Sequence, residues 1–329
     1  MTFADILLDA YRRLRLPAAP PAATIVRIKA LVNEVHRELL TAPGISRLRD
    51  GNSPIPVTIT ANVARSGLPP VVSRIRGITD RTNNKTLTEL PLADLRQMDP
   101  GQLFLGGPAV AYADVGYQPV QFQPTAATGL WASSSSATDT GAPAVFIQTF
   151  RTGGYQYDDT EPLTGVTRVA IGTGTPLTDH EQVTRFYLSA VCVGSVSLWT
   201  ASVAGVELAR IEPGRTSQHY LTVEWFPIAT ADATVYVDYT RNIPDLVQPF
   251  DEPLLPVDFH DVIGLGVRAK EYELLDDNRE SDAKGMYERR VAALKSYVLN
   301  NGEAIASLRP RSGGRWSRLG STYPAERYS

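Results

Sequence analysis

The sequence predicts an α+β fold: a four-helix core built from both ends of the chain, with small β-hairpins and an inserted β-sandwich between them. Apolar residues recur at three- and four-residue spacing over 3–41 and 256–301, which is the period of an amphipathic helix. The long stretch between these ends contains short runs rich in β-branched residues, separated by glycine and proline turns. Such runs are typical of strands.

Composition limits the possible classes of protein. The 329 residues suggest two domains at about 150 residues each, and 43% hydrophobic with 20% charged residues is typical of a globular chain. A net charge of −3 gives no general electrostatic reason to bind nucleic acid or an acidic membrane. We expect Cys192, the single cysteine, to be an inert buried thiol. No signal peptide or membrane-spanning apolar run is visible, which predicts a protein made in a cytosol-like compartment or carried out within a larger assembly.

The first helix is predicted to begin at a capping box formed by Thr2 and Asp5. Prolines between 17 and 21 end this helix, and a second helix runs from about Ala22 to Pro43. Together they predict an antiparallel helix hairpin. Charged residues mostly off the apolar stripe of the second helix should be solvated or at an interface: Arg27, Lys29, Glu34, Arg37 and Glu38.

The chain after residue 54 is strand-like. Runs at 57–60 and 71–78 alternate apolar and polar residues, a short helical segment carries Leu92, Leu95 and Met98, and a hairpin is expected over 109–123. The serine-rich stretch 132–141 is predicted to be a linker. Seven strand candidates follow and predict a β-sandwich: 145–150, 166–171, 183–193, 196–202, 206–211, 218–226 and 233–239.

Two further helices are predicted over 257–275 and from about 279 to 300. Gly264 and Gly266 lie inside the first of them, where each glycine costs about 1 kcal/mol relative to alanine. We therefore expect another element to approach the helix closely at these two positions.

No catalytic or cofactor-binding constellation is recognisable, so we predict that the protein is not an enzyme and binds no cofactor or metal. His180 stands between Asp179 and Glu181, but no second histidine or cysteine lies at ligand spacing. We interpret that tripeptide as a solvated loop. His36 and His260 are expected to be packed or interface histidines. The glycine pairs lack the remaining residues of nucleotide-binding motifs.

The segment 309–329 is rich in arginine, glycine and tyrosine and has too little apolar surface to fold alone. It is either a frayed basic tail or an arm that becomes ordered on a partner, because arginine and aromatic residues are typical interface anchors. The candidate partner-binding residues are Arg309, Arg311, Arg315, Trp316, Arg318, Tyr323, Arg327 and Tyr328.

Several stretches together resemble the head-to-tail adaptor (connector) proteins of tailed bacteriophages. They are ILLDAYRRL at 6–14, IKALVNEVHREL at 28–39, LTELPLADLRQMDP at 87–100, VYVDYTRNIPDL at 235–246 and LPVDFH at 255–260, with Gly107, Pro108 and Tyr112. The resemblance covers about 1–125 and 233–310, as a diffuse pattern. It implies a discontinuous adaptor core, 1–131 with 233–308, an inserted immunoglobulin-like sandwich, 132–232, and a C-terminal arm, 309–329.

The resemblance also implies a function. Such adaptors form a homo-oligomeric ring, usually dodecameric, between the portal protein and the tail tube or nozzle protein. The genomic DNA passes through the lumen with only transient, non-specific contact, and no membrane is involved. On this resemblance the arm residues named above would bind the portal, and the protein would reside in the virion after assembly in the host cytoplasm.

Other functions remain open at this point. The main alternative is a carbohydrate- or receptor-binding structural protein acting through the sandwich, with the loops 153–161 or 172–181 as its binding surface. A metal-dependent hydrolase and a DNA-binding packaging factor are the remaining options.

Overall fold

The computed structural model describes residues 1–17, 19–51, 53–101, 103–172 and 178–308. The chain divides into two compact units. The first, called the helical unit below, comprises Met1–Arg49 and the chain from Ile243 onward, and the second comprises Asp50–Asn242. The boundaries predicted at 131/132 and 232/233 both fall inside the second unit.

The described chain contains five α-helices and five β-sheets. The helices are α1 Phe3–Arg13, α2 Ala22–Thr41, α3 Leu92–Met98, α4 Asp261–Leu274 and α5 Glu280–Leu308. The predicted fold class is wrong. The secondary structure is mixed but mostly strand, and the helices do not form the core of the fold. Segments predicted to be isolated hairpins are instead joined into continuous sheets by strands that come much later in the sequence.

The strands carry most of the second unit. They are β1 Ile55–Ile59, β2 Arg65–Gly67, β3 Val72–Asp80, β4 Lys85–Thr86, β5 Thr88–Glu89, β6 Leu105–Gly106, β7 Ala111–Gln118, β8 Trp131–Ser134, β9 Thr140–Arg151, β10 Gln156–Thr164, β11 Val169–Ala170, β12 His180–Leu188, β13 Val196–Trp199, β14 Glu207–Ile211, β15 Tyr220–Phe226, β16 Ile228–Ala229 and β17 Ala233–Arg241.

Two four-stranded sheets share one cluster of buried apolar side chains. Their strand orders are β1-β17-β3-β4 and β2-β15-β7-β5. Trp225 of β15 lies fully inside this cluster, and its indole N–H donates to Ser66 Oγ at 2.8 Å. The run 218–226 was predicted to be a sandwich strand. That prediction is wrong, since β15 pairs with β7 and β2.

Two other sheets share a second apolar cluster in the arrangement of a β-sandwich. Their orders are β10-β9-β12 and β11-β8-β13-β14. The prediction of a linker over 132–141 is wrong, because this segment supplies most of β8 and the beginning of β9. Asp139, which is buried, accepts hydrogen bonds from Ser134 Oγ and from the backbone N–H groups of Val193 and Gly194. Burial raises the pKa of Asp139, but these hydrogen bonds outweigh burial and hold it below its usual value.

The helical unit begins as predicted. Asp5 Oδ2 accepts the Thr2 backbone N–H at 2.9 Å while the Thr2 hydroxyl accepts the Asp5 N–H, which confirms the capping box. The apolar faces of α1, α2, α4 and α5 contribute to one buried cluster, which also takes in Ile45, Leu246 and Leu255 from connecting segments.

Both glycines of α4 lie where another helix comes close, as predicted. A Cβ at Gly264 would lie 2.4 Å from the Asp9 carboxylate of α1. At Gly266 it would lie 2.6 Å from the Val35 side chain of α2 and 2.9 Å from the Tyr287 ring of α5. No side chain larger than hydrogen fits these positions without displacing a neighbour.

We expect Gly266→Ala to destabilise the helical unit by up to about 2 kcal/mol. Overpacking costs about 1–3 kcal/mol, and the gain in helix propensity of about 1 kcal/mol offsets only part of that cost. Gly285→Ala in α5 is the matched control, because a Cβ there meets nothing within 4 Å. It should gain stability. Urea unfolding followed by helical circular dichroism measures both variants, and equal gains for the two would contradict the close approach.

Candidate interaction surfaces

The predicted portal-binding residues, Arg309, Arg311, Arg315, Trp316, Arg318, Tyr323, Arg327 and Tyr328, lie outside the described residues. Their role therefore stays a prediction. The surfaces considered next belong to the described part of each unit, taken separately.

Ion pairs join α2 to α4 in the helical unit. Arg27 Nη2 lies 2.5 Å from Glu271 Oε1, and Lys270 Nζ lies 2.7 Å from Glu34 Oε1 and also contacts Glu38. The charges of α2 were predicted to be solvated or at an interface. The side chains of Arg27, Glu34 and Glu38 are about half exposed and also pair with α4 of the same unit. The Glu271 side chain is buried, so its pair with Arg27 is the best shielded from solvent.

Two strips of α5, one on either side of its buried residues, are candidate contact surfaces. Met286 and Tyr297 are exposed on one strip and Leu299 on the other, although all three are large and apolar. The turn between α4 and α5 also exposes two leucines, Leu274 and Leu275. Apolar side chains in such numbers on one element are typical of a surface that contacts another protein.

A second apolar surface lies in the second unit and was missed from the sequence. We call it the apolar loop, and it consists of the exposed side chains of Met98, Leu103, Phe104, Leu105 and Val110. Leu103 is 80% exposed. The consecutive Leu-Phe-Leu beside two glycines was the available signal.

The apolar loop is held in a defined conformation. Asp99 accepts the backbone N–H groups of Leu103 at 3.0 Å and Phe104 at 2.9 Å. The Phe104 ring stacks on Phe226, with centroids 5.6 Å apart. A parallel bridge between β6 and β16 fixes the other side. The exposed apolar side chains of the apolar loop are therefore attached to an ordered backbone.

Three of the four histidines are buried, namely His36, His180 and His260. Burial of His36 and His260 confirms that they are packed. The prediction of a solvated loop is wrong for His180, which begins β12. Cys192 is buried as predicted, and burial raises the pKa of its thiol to about 11.

Two of these histidines organise the helical unit. His260 places Nδ1 3.0 Å from the Met1 carbonyl oxygen and Nε2 2.9 Å from the Leu255 carbonyl oxygen. His36 Nε2 accepts the Leu254 N–H at 3.3 Å. The pKa of His36 is lowered to about 4, mainly by burial; the Asp245 charge opposes this shift, and the charges of His260 and Arg37 add to it.

The described ranges contain no group of three histidine, cysteine or acidic side chains placed to hold a metal ion. Among the same residues, no helix has both the length and the apolar character to cross a membrane. No protein-family model matches the chain, and no curated protein sequence matches it significantly. Function must therefore be argued from sequence pattern and geometry.

We expect the helical unit to lose stability as the pH falls from about 6.5 to 4. His36 takes up a proton at pH 6.5 when unfolded but only at about 4 when folded, so the unfolded state binds more protons in this window. The loss is about 3 kcal/mol. His36→Gln keeps an acceptor for Leu254 and removes the titration, so its urea unfolding should depend less on pH. An unchanged pH dependence would contradict a neutral buried His36.

Proposed function

We propose that the chain is a structural virion protein, the subunit of a ring that joins the portal of a tailed-bacteriophage capsid to its tail. The ring would be dodecameric and its lumen would let the DNA pass. The proposal starts from the resemblance in the sequence. The observation that carries it is that α1 and α2, from one end of the chain, and α4 and α5, from the other, belong to one compact unit.

This arrangement suits an adaptor that carries a large insertion between its two helix pairs. The chain enters and leaves the second unit through adjacent strands, where Gly51 N–H donates to Tyr239 O at 2.9 Å and Asp50 pairs with Thr240. The long segment between them begins and ends at one place. A segment of this kind can be enlarged without separating the two helix pairs.

A closed ring requires two different surfaces on each subunit, because every subunit contacts its two neighbours through non-identical faces. The exposed apolar residues of α5 and the apolar loop are suited to such contacts. A channel through which DNA slides should not hold phosphates firmly, and the net charge of −3 is compatible with that requirement.

Negative-stain electron microscopy and native mass spectrometry test the ring directly. The purified protein is examined alone and after mixing with the portal-like product of a neighbouring gene. We expect rings with a central hole, either in both samples or only after mixing. A chain that stays monomeric and does not bind the portal-like protein would refute the proposal.

Removing residues 309–329 should abolish docking to the portal and leave the fold unchanged. The expected result is loss of co-sedimentation with the portal-like protein while circular dichroism stays the same. A variant in which 309–329 is replaced by a Gly/Ser segment of equal length separates the arm's chemistry from its length. Docking of either variant at the normal level would contradict a portal-binding role for the arginine and aromatic residues.

A further inference from the structure

The β1-β17-β3-β4 sheet of the second unit has one apolar face and one face toward solvent. Its inner side chains, among them Ile59, Ile78 and Val237, belong to the apolar cluster that this sheet shares with a second sheet. Successive residues of a strand point to opposite faces. The remaining side chains of the four strands therefore form a second surface, which we call the outer face.

Hydroxyl groups are spread over the whole outer face. Threonine occurs on it in all four strands, as Thr58 of β1, Thr79 of β3, Thr86 of β4, and Thr234 and Thr240 of β17. No large aliphatic side chain of these four strands is exposed on it. Surfaces that bind another protein are built around apolar and aromatic side chains, so the outer face favours a polar partner.

A β-bulge in β3 adds an arginine to this face. Gly77 lies opposite Asp238 and Ile75 lies opposite Tyr239, so β3 has one more residue than β17 between these two pairs. The additional residue is Arg76, whose side chain is 53% exposed. Bulges redirect side chains in this way.

Two more arginines lie on the same face. Arg74 is exposed and lies opposite Thr240 of β17. Arg81 follows β3, and its guanidinium lies over the Tyr236 ring, 3.9 Å from the ring centroid. Tyr236 is opposite Thr79 and therefore on the outer face. From Arg74 to Arg81 the chain covers about 20 Å.

Two acidic residues keep the positive charge of the face small. Asp238 is exposed on it, and Asp50 Oδ2 lies 2.7 Å from Arg76 Nη1. Both members of this ion pair are partly exposed, so the pair contributes little and Arg76 can exchange it for another anion. The arginines thus outnumber the acids here, in a chain whose net charge is −3.

Gly77 leaves open space between the arginines. A Cβ at this position would meet nothing within 4 Å, and its φ lies outside the left-handed region. Neither packing within the unit nor the backbone of the adjacent bulge therefore requires glycine, although glycine weakens a strand. A strand glycine of this kind is typical of a position that another backbone approaches closely.

The residue types of the outer face match those that hold a nucleic-acid backbone. Contacts to phosphate and sugar come from arginine and lysine, from hydroxyl-bearing side chains and from tyrosine. A length of about 20 Å faces about six phosphates along one strand of a DNA duplex. Three arginines can reach only some of them, so the contact is weak and the DNA can still slide.

We propose that the outer face is the surface of the second unit that contacts duplex DNA. Arg74, Arg76 and Arg81 bind phosphates, the threonine hydroxyls donate to phosphate oxygens, and Gly77 lets the DNA backbone come close. The contact does not depend on base sequence. The inference rests on the proposed function, because the DNA that passes through the ring is the partner that it names.

Fluorescence anisotropy with the full-length protein and a labelled duplex of 20 base pairs tests the proposal. The duplex should bind at 50 mM NaCl. Binding should weaken at least about 40-fold at 200 mM NaCl, because three phosphate contacts give log K a slope of about −2.7 against log salt concentration. A second duplex of unrelated sequence should bind within twofold of the first.

Substitutions on the outer face assign the contacts. Arg74→Ala and Arg76→Ala should each make the salt slope less steep by about 1. Gly77→Val should weaken binding threefold or more because its side chain fills the open space. Its urea midpoint should not fall, since valine favours a strand. Any binding by the arginines of 309–329 is common to all these variants, so the differences between them belong to the outer face.

Arg185→Ala is the matched control, because it removes the same charge from an exposed position on β12, in a different sheet. Its salt slope and affinity should match those of the unaltered protein. The proposal is overturned if the duplex does not bind at 50 mM NaCl, or if Arg74→Ala and Arg76→Ala keep the full slope. It is equally overturned if Gly77→Val binds normally, or if Arg185→Ala loses as much affinity as Arg74→Ala.

Electron microscopy of the same samples separates this inference from the ring itself. Rings that do not bind the duplex would overturn the DNA-contacting face and leave the ring in place. Binding that depends on Arg74 and Arg76, in a chain that never forms rings, would overturn the ring and support the outer face as a DNA-binding surface.

Discussion

The close contact of α4 with α1 and α2 is the constraint on which the rest of the helical unit depends. Gly264 and Gly266 allow it, because each lies where a Cβ would collide with a neighbouring helix. His260 then binds the Met1 and Leu255 carbonyl oxygens. Residues far apart in sequence are thereby held together, and the intervening chain must leave and return at one place.

In the second unit too, segments far apart in sequence are held together, because strands late in the chain pair with strands early in the chain. β17 lies between β1 and β3, and β15 lies between β2 and β7. β1 and β2 have no partner strand until the chain has passed residue 220, and before that point β3 and β7 pair only with the two-residue strands β4 and β5. This is why pairing could not be inferred from the sequence: alternation identifies a strand, but it does not identify the strand's neighbour.

Local signals in the sequence were more reliable than long-range ones. The Thr2–Asp5 capping box and the two glycines of α4 were predicted correctly, because each follows from the chemistry of a few adjacent residues. The serine-rich 132–141 segment was misassigned because its order comes from Asp139, which binds residues more than fifty positions away. The burial of His180 was missed because it depends on the register of β12 against β9, which the sequence does not reveal.

The state of Cys192 has a practical consequence. The chain's single thiol is buried and its pKa is about 11, so almost none of it is thiolate at neutral pH. A cysteine introduced at an exposed position would react with a maleimide dye far faster. Fluorescent or spin labels can therefore be attached at chosen sites without first removing the native cysteine, and distances between labelled copies can be measured in the unaltered background.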